Sequence, residues 1–309
     1  MESPPEILVI GSSNTDLVVR TERLPGPGET LLGGTFFTAS GGKGANQAVA
    51  AARAGARVTF VARVGNDDFG RKAVDGFRQE GIDASYILFD PDQPSGVALI
   101  MVDARGENAI AVAPGANGVL SPVQVEAAAP AFDRASLCLL QLEIPIPTVI
   151  HALDLAAEHN LRVILNPAPA CPLPREVFSR LFLITPNESE TELLTGIRPD
   201  TEEATCRAAG VLRDQGVQAV AITLGSKGAF LVDDQGARRI PAPEVRVEDT
   251  TAAGDAFNGA LACALGMGIP LDRAVAFANC AGALSVTRRG AQPSLPSGEE
   301  IRAMLKSAF

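Results

Sequence analysis

The chain has 309 residues, 46% of them hydrophobic and 20% charged, enough to bury a large core, and 26 Lys and Arg against 36 Asp and Glu leave a formal net charge of −10. That balance argues against a general nucleic-acid binder, and apolar runs such as 137–142 and 217–224 are strand-sized, far short of the roughly 20 residues a membrane helix needs. Five scattered cysteines without a C-x-x-C pair and only two histidines, His151 and His159, argue against a disulfide or zinc framework and a histidine-based triad, so a general base has to come from a carboxylate. Residues 1–6 lack the basic and apolar regions of a secretory signal, and the chain is expected in the cytoplasm.

In chain order, an apolar strand at 7–10 is followed by two short runs, 16–20 and 30–37, that read as an antiparallel pair. A small-residue helix at 45–54, a strand at 58–61 and a helix at 68–79 come next, then a second antiparallel pair, 96–103 with 108–113. Beyond it strands at 137–142, 162–165, 183–185 and 219–223 alternate with helices at 148–159, 189–194 and 201–215. A hairpin pattern at 229–238 precedes helices at 254–265, 271–285 and 298–306. This alternation predicts a layered α/β domain with a mostly parallel sheet spanning the chain. The paired segments, about 15–40 and 95–114, form either a small antiparallel sheet outside the main layers, as a lid or dimer surface, or an edge extension of the main sheet.

Four segments carry chemistry. Asp249-Thr250-Thr251-Ala252-Ala253-Gly254-Asp255 opens a helix whose first turn offers free N–H groups to an anion and places Asp255 beside them. Ser40-Gly41-Gly42-Lys43-Gly44-Ala45-Asn46-Gln47 lets the backbone approach a ligand closely, yet matches neither the dinucleotide loop nor the P-loop. Thr185-Pro186-Asn187-Glu188-Ser189-Glu190 and Thr223-Leu224-Gly225-Ser226-Lys227-Gly228 each follow an apolar strand, where the crevice of an open α/β sheet lies. Asn187 and Glu190 suit either a hydrated magnesium ion or phosphate, or a capping box.

Together these segments resemble the PfkB-type carbohydrate kinases, and most closely the members that phosphorylate ribose, over about residues 7–296. Gly11-Ser12-Ser13-Asn14-Thr15-Asp16, Asn166-Pro167-Ala168-Pro169-Ala170 and Thr287-Arg288-Arg289-Gly290-Ala291-Gln292-Pro293-Ser294 complete the pattern in order and spacing. The resemblance implies a three-layer α/β/α fold with a small antiparallel β lid that also forms a homodimer contact. It implies that Asn14, Asp16, Gly42, Lys43, Gly44, Ala45, Asn46 and Glu143 hold the sugar, and that Asp255 is the base. Ala252, Ala253, Gly254 and Asp255 would form an anion hole, and Asn187, Glu190, Thr223, Leu224, Gly225, Ser226, Lys227, Gly228, Gly254 and Asn279 would line the nucleotide. Asp249, Thr251, Ser285, Arg288, Gly290 and Ser294 would form a potassium loop built largely of backbone carbonyls. Asn279 stands where such kinases often have His, and Thr251 where a larger aliphatic residue is common.

The expected activity is transfer of a phosphoryl group from ATP, with Mg²⁺ and K⁺, to O5 of D-ribose. Alternatives on the same scaffold are a deoxyribokinase, fructokinase, 2-keto-3-deoxygluconate kinase or nucleoside kinase. A non-catalytic sugar-binding protein is the reading from another class. A nucleoside kinase fits less well, because no Trp and a single Tyr leave few flat aromatic surfaces for a base.

Overall fold

The computed structural model describes residues 3–308. In chain order the elements are β1 (Glu6–Ile10), β2 (Asn14–Arg20), β3 (Thr35–Gly41), α1 (Lys43–Ala54), β4 (Arg57–Gly65), α2 (Asp68–Gln79), β5 (Ile87–Asp90), β6 (Gly96–Val102) and β7 (Asn108–Ala113). The middle of the chain gives α3 (Pro122–Glu126), α4 (Ala129–Arg134), β8 (Leu137–Leu140), α5 (Ile146–Glu158), β9 (Val163–Leu165), α6 (Arg175–Phe178), β10 (Leu183–Ile184), α7 (Glu188–Thr195) and α8 (Glu202–Asp214). The last third gives β11 (Ala219–Thr223), β12 (Ala229–Asp233), β13 (Gly236–Ile240), α9 (Ala253–Gly266), α10 (Leu271–Ser285) and α11 (Gly298–Ala308).

Nine strands form the main sheet in the order β13-β12-β11-β10-β9-β8-β1-β4-β5. Pairing is parallel from β11 through β5, and the β12–β13 hairpin adds an antiparallel edge. The strands are apolar on both faces because helices cover both. Ile7 and Val9 of β1 face the layer holding α1, α9 and α10, whereas Leu8 and Ile10 face the layer holding α4, α5 and α8. The period-2 alternation of one strand thus serves two separate cores.

The segments outside the alternation form their own four-stranded sheet, β3-β2-β6-β7, so the edge-extension reading does not hold. Each pair is antiparallel, as expected, but the two pairs join through β2 and β6 in parallel register, Asn14 opposite Gly96 through Arg20 opposite Val102. Strand β3 begins at Thr35 rather than residue 30, because Gly33 and Gly34 adopt positive φ just before it. Strand β5 escapes the apolar-run criterion: it is four residues long, and Leu88 and Phe89 lie exposed at the sheet edge.

Helices α1 and α9 pack through small residues, Ala45, Ala48 and Ala51 against Ala256, Gly259 and Ala260, all buried. A Cβ on Gly259 would stand 2.5 Å from the Ala50 Cβ and 2.6 Å from the Gln47 carbonyl oxygen. Gly210, within α8, has no heavy atom inside 4 Å of such a Cβ. Gly259→Ala should therefore lower stability by about 1–3 kcal/mol through overpacking, and Gly210→Ala should raise it by about 0.5–1 kcal/mol through helix propensity. Thermal unfolding of the two variants checks the contrast; equal midpoints would mean that the helices separate freely.

Candidate active site

The carboxyl ends of the parallel strands carry the site. After β1 the chain runs through Gly11-Ser12-Ser13 into Asn14, and this connection is pressed against the start of α1. Gly42, with φ 89°, caps α1, and a Cβ there would lie 2.7 Å from the Asn14 nitrogen, so only glycine fits. Gly44 is equally close to Gly11 and Ser12. Glu143, leaving β8, accepts the Lys43 N–H at 2.9 Å and the Ser12 hydroxyl, tying three segments together.

Asn14 is positioned from across the lid junction. Asn117 donates from Nδ2 to the Asn14 Oδ1 at 2.7 Å and to the Ser13 carbonyl, while its Oδ1 accepts the Ser13 N–H. The Asn14 carboxamide therefore has its oxygen engaged and its amino group left for other partners. Asp16, one step further along the same face of β2, has its carboxyl pushed up to about 6, first by burial and then by the negative charges of Glu143 and Asp255.

Asp255 lies in the first turn of α9 and is buried. The turn begins with Ala252 in the left-handed region (φ 60°, ψ 15°), a conformation costly for a residue with a Cβ. No side chain caps this helix, and the N–H groups of Gly254 and Asp255 meet no acceptor among the described residues. Two amides hold the carboxylate: Asn46 donates to Oδ2 at 2.9 Å and Gln47 to Oδ1 at 3.0 Å. Burial raises the Asp255 pKa, Lys43 and these two amides work against that, and Glu143 adds to the rise. Asn258, one turn on, donates to the Gly254 carbonyl and accepts the Thr185 hydroxyl, fixing α9 to the end of β10.

Beyond β10 and β11 lies the other wall. Asn187 and Glu190 form a full capping box for α7: each backbone N–H is bonded by the other's side chain, and the Asn187 amide also donates to Glu190 at 2.9 Å. Glu190 is buried, and burial raises its pKa. The Thr223–Gly228 loop meets this segment where the Thr223 N–H donates to the Pro186 carbonyl. Its far end, Gly228, nearly touches Ile240. Asn279 on α10 donates to the carbonyls of Ile240 and Pro241, so its amide hydrogens hold the chain leaving β13.

Of the expected cation-loop residues, Asp249, Thr251 and Gly290 are directly linked. Asp249 accepts the N–H and hydroxyl of Thr251 on one oxygen and the Gly290 N–H on the other. Burial alone would raise its pKa, but these bonds, led by the Gly290 N–H, outweigh it and keep the carboxylate low. Arg288 pairs with Glu300 and Arg289 with Glu248, which turns both guanidinium groups onto carboxylates. Ser285 and Ser294 use their hydroxyls on the carbonyls of Gly282 and Ala291. Among the described residues no cluster of three or more His, Cys, Asp and Glu is arranged to hold a metal ion, and no helix is long and apolar enough to cross a membrane.

A cleft of about 1560 Å³ runs beneath the lid from Asn14, Asp16 and Gly41 to Asp249–Thr251 and Gly290; Asp255 does not line it. Sequence reading missed the buried polar residues Asn117 and Gln141 behind this site, as well as the roles of Gln47, Thr185 and Asn258. Their signal is a polar residue inside an apolar run, such as Gln141 following Leu137-Cys138-Leu139-Leu140, which a search for ligand-facing residues passes over.

A parallel sheet open at its carboxyl ends, a separate four-stranded lid and a buried carboxylate at an uncapped helix N-terminus define a layered α/β kinase of small molecules. The family model for pfkB family carbohydrate kinases matches residues 4–298. A ribokinase of Haemophilus influenzae is 42% identical over 98% of this chain and 99% of its own length. A deoxyribokinase of Salmonella typhimurium is 38% identical over 97% and 98%. The structure of Arabidopsis thaliana ribokinase complexed with ribose and ATP superposes with a TM-score of 0.92 at 33% identity, covering 99% of both chains. The chain belongs to the pfkB family of carbohydrate kinases.

The Asp16 titration gives a direct test of the site's charge. An unfolded Asp titrates near 3.8 and the folded one near 6, so the fold disfavours the carboxylate. That penalty is absent below pH 3.8 and fully present above about 6. Asp16→Asn should raise the thermal midpoint of the ligand-free protein at pH 8 and leave it almost unchanged at pH 4. Equal gains at both pH values would mean that charge is not the cause.

Proposed function

We propose that this chain transfers the γ-phosphoryl group of ATP to the 5-hydroxyl of D-ribose, yielding D-ribose 5-phosphate and ADP. The observation that carries the reading is Asp255: a buried carboxylate, oriented on both oxygens, at a helix start with unpaired N–H groups. A raised pKa makes it a better proton acceptor than an ordinary Asp at neutral pH. The ribokinases among its relatives, one of them with ribose and ATP, point to the same substrates.

In this reading Asn14 and Asp16, with Gly42–Asn46 and Glu143, hold the sugar so that its 5-hydroxyl meets Asp255. Asp16 brings acceptor oxygens that suit the 2- and 3-hydroxyls, which favours ribose over 2-deoxyribose, since an analogue lacking one hydroxyl leaves a buried partner unpaired. Asn187, Glu190, the Thr223–Gly228 loop and Asn279 form the nucleotide side. Asp255 takes the proton as the oxygen attacks, and the N–H groups of Gly254 and Asp255 stabilise negative charge on the transferring group; the Ala253 N–H, also expected there, is bonded to the Thr250 carbonyl at 3.3 Å. Mg²⁺ bound with ATP would offset phosphate charge and keep water and phosphate oxygens as most of its ligands, as this ion commonly does.

In this reading the Asp249–Gly290 crossing holds a monovalent cation through backbone carbonyls, with Asp249 tying its two segments together and Arg288 and Arg289 already paired with carboxylates. Such an ion would stiffen the loop leading into Ala252. The lid supports a homodimer, because Phe36, Leu99, Ile110 and Val112 are 63%, 53%, 56% and 53% exposed, an apolar surface that a second copy would cover.

Ribose-dependent ADP release by the purified protein with ATP, Mg²⁺ and K⁺ tests the proposal. Asp255→Asn should cut kcat by roughly 10²- to 10⁴-fold while ribose binding, followed by calorimetry, stays close to wild type; near-normal turnover would remove Asp255 from the chemistry. Replacing K⁺ by Na⁺ at constant ionic strength should lower kcat, and an unchanged rate would take the cation out of the mechanism.

A further inference from the structure

Behind Asp255 lies a chain of buried amides that touches neither sugar nor nucleotide side. Gln47 and Gln141 have no solvent exposure, and Asn166 is almost as deep. Gln141 donates from Nε2 to the Gln47 Oε1 at 2.7 Å. Gln47 in turn donates from Nε2 both to the Asp255 Oδ1 and to the Asn166 Oδ1, each at 3.0 Å. Asn166 is oriented by its own bond to the Thr185 carbonyl.

A glutamine amide can be turned end for end, and only one orientation serves a carboxylate. With its oxygen taken by Gln141, Gln47 has to present its NH₂ to Asp255; the reverse would set a carbonyl oxygen against a carboxylate. We propose that Gln47 is a positioning residue for phosphoryl transfer, holding the Asp255 carboxylate in the orientation that receives the hydroxyl proton, and that Gln141 acts through it by fixing the direction of the Gln47 amide. The inference rests on the reading of Asp255 as the base. Neutral amides suit this task, since they favour the carboxylate without adding a charge to a site already containing several. The charged groups facing Asp255 are Lys43 at the start of α1, Glu143 after β8, Asp16 on β2 and Glu190 on α7.

Gln47→Met keeps the shape of the side chain and removes the donor. Loss of one hydrogen bond to a charged group predicts a kcat about tenfold to hundredfold lower at pH 7, with the KM for ribose within about threefold of wild type. The acid limb of the kcat–pH profile should move up by about one unit, so that the deficit narrows as pH rises. Gln141→Met, which leaves Asp255 and its partners in place, should shift kcat and the limb in the same direction by less. It carries the test alone if Gln47→Met does not fold. A kcat within twofold of wild type for both variants, or a deficit that is constant across pH and matched by a rise in KM, would overturn the proposal. Asp255→Asn run alongside separates the two readings. If that variant turns over normally, the base assignment fails; if it is inactive while Gln47→Met leaves the acid limb unmoved, only the role of Gln47 fails.

Discussion

The contact on which the site depends is the close approach of α1 and α9. Only because Gly259 lacks a side chain can the backbone of α9 rest on Ala50 and the Gln47 carbonyl, and only at that separation do Asn46 and Gln47, on one helix, reach the two oxygens of Asp255 on the other. The two helices are more than 200 residues apart in sequence, and neither end works alone. Helix α9 supplies a carboxylate and unpaired N–H groups, and α1 supplies the donors that make ionisation inside a core affordable. Small residues at the interface thus set the hydrogen bonds of Asp255 as much as the packing of the two helices.

From this contact the rest of the architecture follows in order. The strands of the main sheet set the depth at which both helices begin, because Ser12 and Glu143, leaving β1 and β8, hold the first residues of α1. Thr185, leaving β10, anchors α9 through Asn258. Two neighbouring strand ends, β1 and β8, and a third, β10, beyond β9 therefore fix how the starts of α1 and α9 sit relative to the loop after β10. The cost shows at Ala252, held in the left-handed region so that α9 can start without a side-chain cap. A serine or aspartate cap there would be easier for the helix, but it would fill the N–H groups that an anion needs.

Much of this was legible in the chain itself. Helices at 68–79 and 271–285 and the strands at 108–113 and 219–223 match α2, α10, β7 and β11, because each carries an uninterrupted period or ends at a clear boundary. Elsewhere the ends shift by one to a few residues, where caps rather than patterns decide them, as at Lys43 and Ile146. The short helices α3, α4 and α6 and the edge strand β5 are too brief to show a period. The parallel joining of β2 to β6 was hidden because it links segments separated by the whole of α1, β4, α2 and β5. At the site, the segments that converge at the strand ends carry glycines beside polar residues in short motifs, and sequence reading finds those motifs. Gln47, Gln141, Asn117 and Asn258 face other side chains, and only the fold brings their partners near.

The lid meets the body along one line: β2 leaves at Asn14, β3 returns at Gly41, β6 leaves at Gly96 and β7 returns at Ala113. Asn117 bridges that line, and Gly96 has no room for a Cβ between the Asn117 side-chain amide and the Asn14 side chain. The four-stranded sheet joins the body along that margin, and the bonds between its own strands lie outside it. Asn14 sits on that margin and Asp16 just beyond it, so any shift of the small sheet against the body would carry Asp16 with it and leave Asn14 at the seam.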